Sequence, residues 1–406
     1  MKNASQPILN SYEELLGKKA VDTVKNKATP FINKSILHVN ATKFGGGVAE
    51  ILQNMVAMME ELELGVNWKT FSAPDSFFQI SKKMHNALQG NNEIKFSPEE
   101  ITQFLDQAKN SHDQIQPDED FVIIHDPQPC PIIKFAEKRK GKWIWRCHID
   151  TSNPNPQAWK LVLPYLQQYD ARIFTMEQFA KSELNSPIFY ITPSINPFST
   201  KNKEMDYEEA KTIVQKYIPL DKPIITQVSR FDPWKDPLGV IDAYKMVKEK
   251  VPVRLALIGS LAHDDPEGVE WLKKVKDYAN MDEDIYILSN LDGVGDIEVN
   301  AFQRISEIII QKSIKEGFGL TVTEALWKGI PVIGGDVGGI RLQIEDGVNG
   351  FLVKNIEQTA EKILHLLNNP KIAHRMGNQG REKVKKEFLL IQHLEKYLDL
   401  FKSISK

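Results

Sequence analysis

With 406 residues the chain exceeds what one hydrophobic core usually serves, so two domains are expected. Its 51 basic and 54 acidic residues leave a formal charge of −3, which argues against a polyanion-binding surface and against a nucleic-acid partner. The two cysteines, Cys130 and Cys147, cannot build a disulfide framework, no apolar run is long enough to span a bilayer, and the start lacks a hydrophobic signal core; a cytoplasmic protein with reduced thiols and no membrane partner is the expectation.

A polar lead-in over residues 1–35 contains one helical patch, SYEELLGKKAVDTV. The first strand is expected over residues 35–40, followed by Lys43-Phe44-Gly45-Gly46-Gly47 and an amphipathic helix over 48–64. The triple glycine lacks G-x-G-x-x-G spacing, and the next strand, over 67–72, ends without an acidic residue, so a nicotinamide dinucleotide is not expected. The glycines serve either as a tight turn beneath the helix or as a close backbone approach to a ligand. Polar helices over 76–88 and 98–111 precede a strand over 121–124 that ends in HDPQP, and an aromatic strand over 143–150 ends in His148-Ile149-Asp150. Each histidine alone is more often structural, but two polar clusters at strand ends suit a sugar, which needs donors and acceptors around its hydroxyls. His125, Cys130, Cys147 and His148 lack paired short ligand spacings, so no metal is expected there.

Strands over 171–175 and 188–191 complete the first half, and the Pro- and Ser-containing passage 193–203 is the linker candidate. Domains over 1–200 and 201–389 follow, and both read as strand–helix alternations with parallel sheets. In the second, strands are expected over 224–228, 253–258, 285–288, 308–310 and 331–333, with terminal amphipathic helices over 372–388 and 390–404. Arg230 and Lys235 stand in SRFDPWKDP at the end of the first of these strands, where phosphate neutralisation is favoured over solvated surface charge. The passage from Gly259 through Gly268 and the segment from Asn290 to Gly295 border a nucleobase in this reading.

The stretch 307–341, EIIIQKSIKEGFGLTVTEALWKGIPVIGGDVGGIR, carries the most chemistry. Two strands run into glycine loops and helix starts, where backbone amides favour phosphate. Phosphates on the amides of Gly319, Leu320 and Thr321 would leave Glu316 facing one end of a ligand and Glu324 the other. The spacing Thr321-x-x-Glu324 also reads as a capping box, and taken alone that reading is favoured. Glu316, between Lys315 and a Gly-Phe-Gly turn, has no such structural explanation.

EGFGLTVTEAL, with GIPVIGGDVGGI and DGVNGFLV, resembles the two-glutamate motif of the retaining glycosyltransferases of GT-B architecture, in the family that contains sucrose and trehalose synthases. FGGGVAEIL, HDPQP, WRCHIDTSNPNP and SRFD-x-x-KD extend the resemblance over most of the chain from Ile36, most closely to synthases of the trehalose glycosyltransferring type. It implies an α/β fold with two Rossmann-like domains facing each other across a cleft, the terminal helix over 390–406 packing back on the first. It puts Glu316 on the donor sugar, Glu324 on the donor ribose, Arg230 and Lys235 on the pyrophosphate, and His148 near the donor hexose. Asp126 would hold the acceptor, with Gly46, Gly47 and Asp150 on the same side, and Gly259 on the donor side. Asn196 and Arg341 depart from the family's usual aspartate and proline.

The implied partners are small molecules: a nucleoside-diphosphate glucose, glucose and trehalose, with a homodimer left open and no cofactor or metal expected. Retention could use a carboxylate nucleophile, for which the sequence offers no compelling candidate, or attack from the face of the departing phosphate. A phosphorylase using inorganic phosphate, a glucosyltransferase with another sugar or polyol acceptor, and an idle sugar-nucleotide-binding protein are the alternatives.

Overall fold

The computed structural model describes residues 7–43, 46–184, 187–261 and 266–405. Two compact units emerge: one holds the described residues up to Ser194 together with those from Leu390 onward, the other Ile195–Leu389. Each is built on one six-stranded, wholly parallel sheet. Among the described residues, no helix is long and apolar enough to cross a membrane.

In the first unit the strands are β1 (Ser35–Asn40), β2 (Gly65–Thr70), β3 (Phe121–His125), β4 (Lys142–Arg146), β5 (Ala171–Phe174) and β6 (Ile188–Tyr190), in the order β2-β1-β3-β4-β5-β6. The chain builds from β1 to β2, then returns to place β3 on the other side of β1. The direction therefore reverses between β1 and β3. Strands alternate their side chains between faces. One face sends Val39, Ile124, Trp143 and Trp145 into a core with Phe77, Met84, Phe104 and Trp159 from three helices. Against the other face lies the last helix, Leu390–Ile404, whose Ile391, Leu394, Leu398 and Phe401 fall at helical spacing and are buried. Phe401 stacks on Phe121 at 4.5 Å between ring centres.

The expected helical patch near the start is two helices, Ile8–Leu16 and Lys18–Ala28, divided by Gly17 at φ 84°. The Glu61 carboxylate accepts the amides of Ile8 and Leu9 at 2.6 and 2.9 Å, neutralising orphan donors at the helix start. The strand expected to run to Asp150 ends at Arg146. Its continuation is diverted because the His148 amide donates to the Asp126 side chain at 2.8 Å instead of to a neighbouring strand.

The second unit has β7 (Ile224–Val228), β8 (Arg254–Gly259), β9 (Ile285–Ser289), β10 (Ile308–Gln311), β11 (Val332–Gly335) and β12 (Gly350–Val353), ordered β12-β11-β10-β7-β8-β9. Its reversal lies between β7 and β10. The short β12, from GFLV, was not among the expected strands; its Val353 is buried and its four residues pair in register with β11. Residues 195–203 are bonded into this unit: Asn300 Nδ2 donates to the carbonyls of Thr200 and Lys203, Trp327 Nε1 to that of Asn202, and Lys328 Nζ to Asn202 Oδ1.

Candidate active site

Open parallel sheets bind ligands beyond the carboxyl ends of their strands, where the strand order reverses. In the second unit that point is flanked by the loops after β7 and β10. They are tied together by the Ile314 amide, which donates to the Trp234 carbonyl at 2.8 Å. Asp232 caps the turn Pro233–Lys235 by accepting the Lys235 amide, and Asp236 caps the helix Pro237–Lys248 by accepting the Gly239 amide, each at 3.2 Å. These caps fix Lys235 between two anchored aspartates. Its ammonium donates to Glu316 Oε2 from the other loop, and Ser313 Oγ donates to the same oxygen at 3.1 Å. Glu316 is 8% exposed, so the pair is largely withdrawn from water, where charge-assisted bonds are strongest. Arg230 projects farther out, its guanidinium 3.3 Å from Asp232 Oδ2.

Gly319, at φ 85°, turns the Glu316 loop into the helix Leu320–Trp327. A side chain there would be strained by the left-handed backbone and would meet Glu316 Cγ at 3.2 Å. Leu320 and Thr321 open the helix, where the first amides lack intrahelical acceptors. The loop after β11 supports this arrangement from behind. The Gly339 amide donates to the Glu316 carbonyl at 3.2 Å, and a Cβ on Gly339 would come within 2.5 Å of the Gly317 carbonyl oxygen. The second glycine loop thus opens only a short helix, Ile340–Gln343, and its glycines serve close backbone packing.

The capping box expected at Thr321-x-x-Glu324 does not form. The helix starts two residues earlier than that box requires: its N-cap is Gly319, and no side chain caps it. Glu324 points instead into the unit, 2% exposed, where Gln303 Nε2 donates to its Oε2 at 3.0 Å and the Lys201 ammonium lies 3.7 Å from its Oε1. Gly259 ends β8, and a Cβ there would meet the Phe231 ring at 2.3 Å, so packing alone demands glycine. Residues 262–265 of the expected nucleobase border lie outside the described residues.

At the first unit's reversal point, Asp126 follows β3 in a left-handed conformation, φ 66°, and accepts the His148 amide through Oδ1. Burial pushes its carboxyl up to about 7, opposed by that hydrogen bond and by Arg146. His148 Nε2 meets His125 Nδ1 at 2.9 Å, and His125 Nε2 meets His38 Nδ1 at 3.0 Å. The expected partners Asp126 and His148 are therefore brought together, joined by His125 of the HDPQP cluster and by His38, which was outside the expected clusters. Asp150 is buried and its Oδ1 accepts the Ser152 amide at 2.9 Å, a local turn. Gly46, at φ 77°, and Gly47 open the helix Gly46–Glu61, with no atom near a Gly46 Cβ; Phe44 and Gly45 lie outside the described residues.

Residues 38–181 match the family model for the N-terminal domain of trehalose synthase, and residues 209–383 that of glycosyl transferases group 1. A trehalose synthase of Thermococcus litoralis is 48% identical over 399 residues, covering 97% of each chain. The chain belongs to the trehalose synthase family of glycosyltransferases. Another member, from Rubrobacter xylanophilus, is 42% identical over 409 residues, covering 98% of this chain and 97% of its own. In fold, the sucrose-phosphate synthase of Thermosynechococcus elongatus is similar at a TM-score of 0.71 and 17% identity, over 92% of this chain and 99% of its own. The protein is thus a trehalose-related glycosyltransferase with the two parallel-sheet α/β domains of the GT-B fold.

Of the expected donor-side residues, Lys235 and Glu316 bond to each other, whereas Arg230 is paired with Asp232 and Glu324 with Gln303 and Lys201; Lys201, Gln303 and Ser313 were not among the expected residues. Lys201 and Gln303 are distant in sequence from the motif they serve and carry no local signal. Ser313 sits within reach of Glu316 in sequence, and a hydroxyl three residues before a motif glutamate was a readable hint. Asn196 accepts the Phe198 amide at 3.1 Å, and Arg341 is bonded to Asp336 through Nε and Nη2, both at 2.6 Å.

Proposed function

We propose that the protein is a retaining glucosyltransferase that makes trehalose and a nucleoside diphosphate from a nucleoside-diphosphate glucose and glucose, reversibly and without a metal. The observation that carries this reading is the Lys235–Glu316 pair at the second unit's reversal point, with Arg230 outside it and Glu324 buried on the adjoining helix. A pyrophosphate there meets two cations and the amides of Gly319 to Thr321, which stabilise the charge that develops as the leaving phosphate departs. Glu316 accepts hydrogen bonds from the transferred sugar, and Glu324 from the ribose.

The first unit supplies neutral donors and acceptors for sugar hydroxyls through His148 and Asp126. Gly46, Gly47 and Asp150 are assigned to the acceptor side in the same reading. The anomeric bond to phosphate breaks as the acceptor oxygen bonds to the same face, and the acceptor's proton passes to a phosphate oxygen. This route needs no carboxylate nucleophile. Lys235 and Arg230 take the electrostatic task that a cation would otherwise perform.

The test is product analysis with UDP-, ADP- and GDP-glucose, each with and without glucose, in a chelator. Glucose-dependent trehalose and nucleoside diphosphate are expected. Glucose 1-phosphate released from trehalose by phosphate, with no trehalose from any donor, would replace this reading with the phosphorylase. Nucleotide binding without turnover on any sugar or polyol would replace it with a binding protein.

A further inference from the structure

Three imidazoles form a continuous chain from the interior of the first unit to the position of His148. His38 Nδ1 lies 3.0 Å from His125 Nε2, and His125 Nδ1 lies 2.9 Å from His148 Nε2. His38 and His125 are 0% and 1% exposed, whereas His148 is half-buried. Each of the two contacts needs one N–H and one lone pair.

Every ring in the chain is held neutral by its surroundings. Burial lowers His38 to about 3 and lowers His125 and His148 well below the ordinary imidazole value. Arg146 adds to this from the end of β4: it is fully buried, and among the described residues its three guanidinium nitrogens have no hydrogen-bond partner. The other titratable groups around the chain are Asp126 and Cys147 on neighbouring loops and His393, Lys396 and Tyr397 on the terminal helix. Of these, His393 is itself pushed well below the imidazole range by burial and by Arg146.

A chain of three neutral rings has only two hydrogen-bonding arrangements: all protons lie toward His148 or all toward His38. The choice is made at the inner end. Among the described residues, His38 Nε2 is buried with no partner. With protons toward His38, that atom would be an orphaned buried N–H, a rare and costly state. With protons toward His148, it is a bare lone pair, which is more readily left unpaired.

We infer that His38 and His125 are positioning residues that hold His148 in the neutral tautomer with Nε2 bare and Nδ1 protonated, making it a fixed hydrogen-bond donor toward a sugar hydroxyl. The donor role rests on the functional reading above; the tautomer does not. His148 Nε2 is committed to accepting from His125, and His148 Nδ1 carries its proton, so neither nitrogen of His148 is available as a base. The acceptor's proton must then leave by the phosphate oxygen.

The tautomer is read directly from two-bond proton–nitrogen correlation spectra of the whole protein labelled with 15N-histidine, assigned with His148→Asn. The expected result at neutral pH is a protonated Nδ1 and a bare Nε2 for His148. The reverse assignment, or a charged ring, would overturn the inference even if trehalose is made. Failure to make trehalose with the expected spectrum would remove the functional reading and leave the tautomer standing.

The variants His38→Leu and His38→Asn separate positioning from packing. His38→Asn keeps a donor at the Nδ1 position toward His125 and is expected to keep the His148 spectrum and kcat within about threefold. His38→Leu is expected to mix the tautomers and lower kcat about tenfold, the scale of one net hydrogen bond. Equal loss in both with an unchanged spectrum would reduce His38 to a structural residue. Should His38→Leu fail to fold, the wild-type spectrum and His38→Asn still decide.

Discussion

The two sheets each reverse direction once, and the side chains gathered at the two reversals differ in kind. In the second unit they are charged and paired: Lys235 with Glu316, Arg230 with Asp232, and Lys312 with Asp236. In the first they are imidazoles held neutral and a carboxyl pushed up to about 7 by burial. The same topological device thus presents a preorganised field for an anion in one unit and uncharged hydrogen-bonding groups in the other. Fold alone does not set which chemistry a reversal point performs; the loops do.

The sharpest way to break that comparison is to remove charge from one point and shape from the other. Glu316→Gln and Lys235→Ala should each lower kcat by roughly 10²–10³, the usual effect of losing one preorganised electrostatic contact. His148→Asn, which keeps a donor, should cost only about tenfold. Steady-state kinetics with saturating donor would show this; an equal loss at His148 would erase the distinction between the charged and the neutral point. Glu324→Gln tests the interior of the charged point. Its buried carboxylate is matched to Gln303 and Lys201, so the variant should raise the donor KM about tenfold and leave kcat nearly unchanged, a difference of ~1.4 kcal/mol.

The neutral point has its own signature in pH. Asp126 rises from its ordinary 3.8 to about 7, so between these values the folded state binds more protons than the unfolded one. Stability from this group therefore falls as pH increases through that window and is lowest above it. Asp126→Asn keeps an oxygen for the His148 amide while removing the titration. Its melting temperature should gain on the wild type's as pH rises through the window, and parallel curves would show that the carboxyl does not titrate in the way its burial demands.

How much of this was legible in the sequence depended on whether the signal was local. Apolar runs such as Ile308-Ile309-Ile310 announced the strands, and Glu316, Glu324, Arg230 and Lys235 stood in dense motifs at strand ends. The Thr321-x-x-Glu324 spacing misled because a positive-φ glycine moved the N-cap back by two residues, and Glu324 turns inward. The histidine chain could not be read, since its members stand on three separate strands or strand ends and only the parallel register of β1, β3 and β4 aligns them. Arg146 was hidden for a related reason: it closes an aromatic strand, and nothing in its neighbours says that its guanidinium is buried without a partner. The short β12 carries three apolar residues behind one glycine, and too little periodicity to separate it from a loop.

The smallest effect tests how closely the charged point is fitted. Gly319→Ala places a methyl group on a left-handed residue, which costs about 1–2 kcal/mol, and sets it 3.2 Å from Glu316 Cγ. A unit of this size should then melt about 2–8 °C lower. Because Glu316 is also held by Lys235 and Ser313, the contact is relieved by a small shift of its methylene and the carboxylate stays in place; kcat should fall less than tenfold. A loss as large as that of Glu316→Gln, at unchanged stability, would mean that the glycine is there for close approach of a ligand to its backbone, and that the fit between Gly319 and Glu316 is secondary.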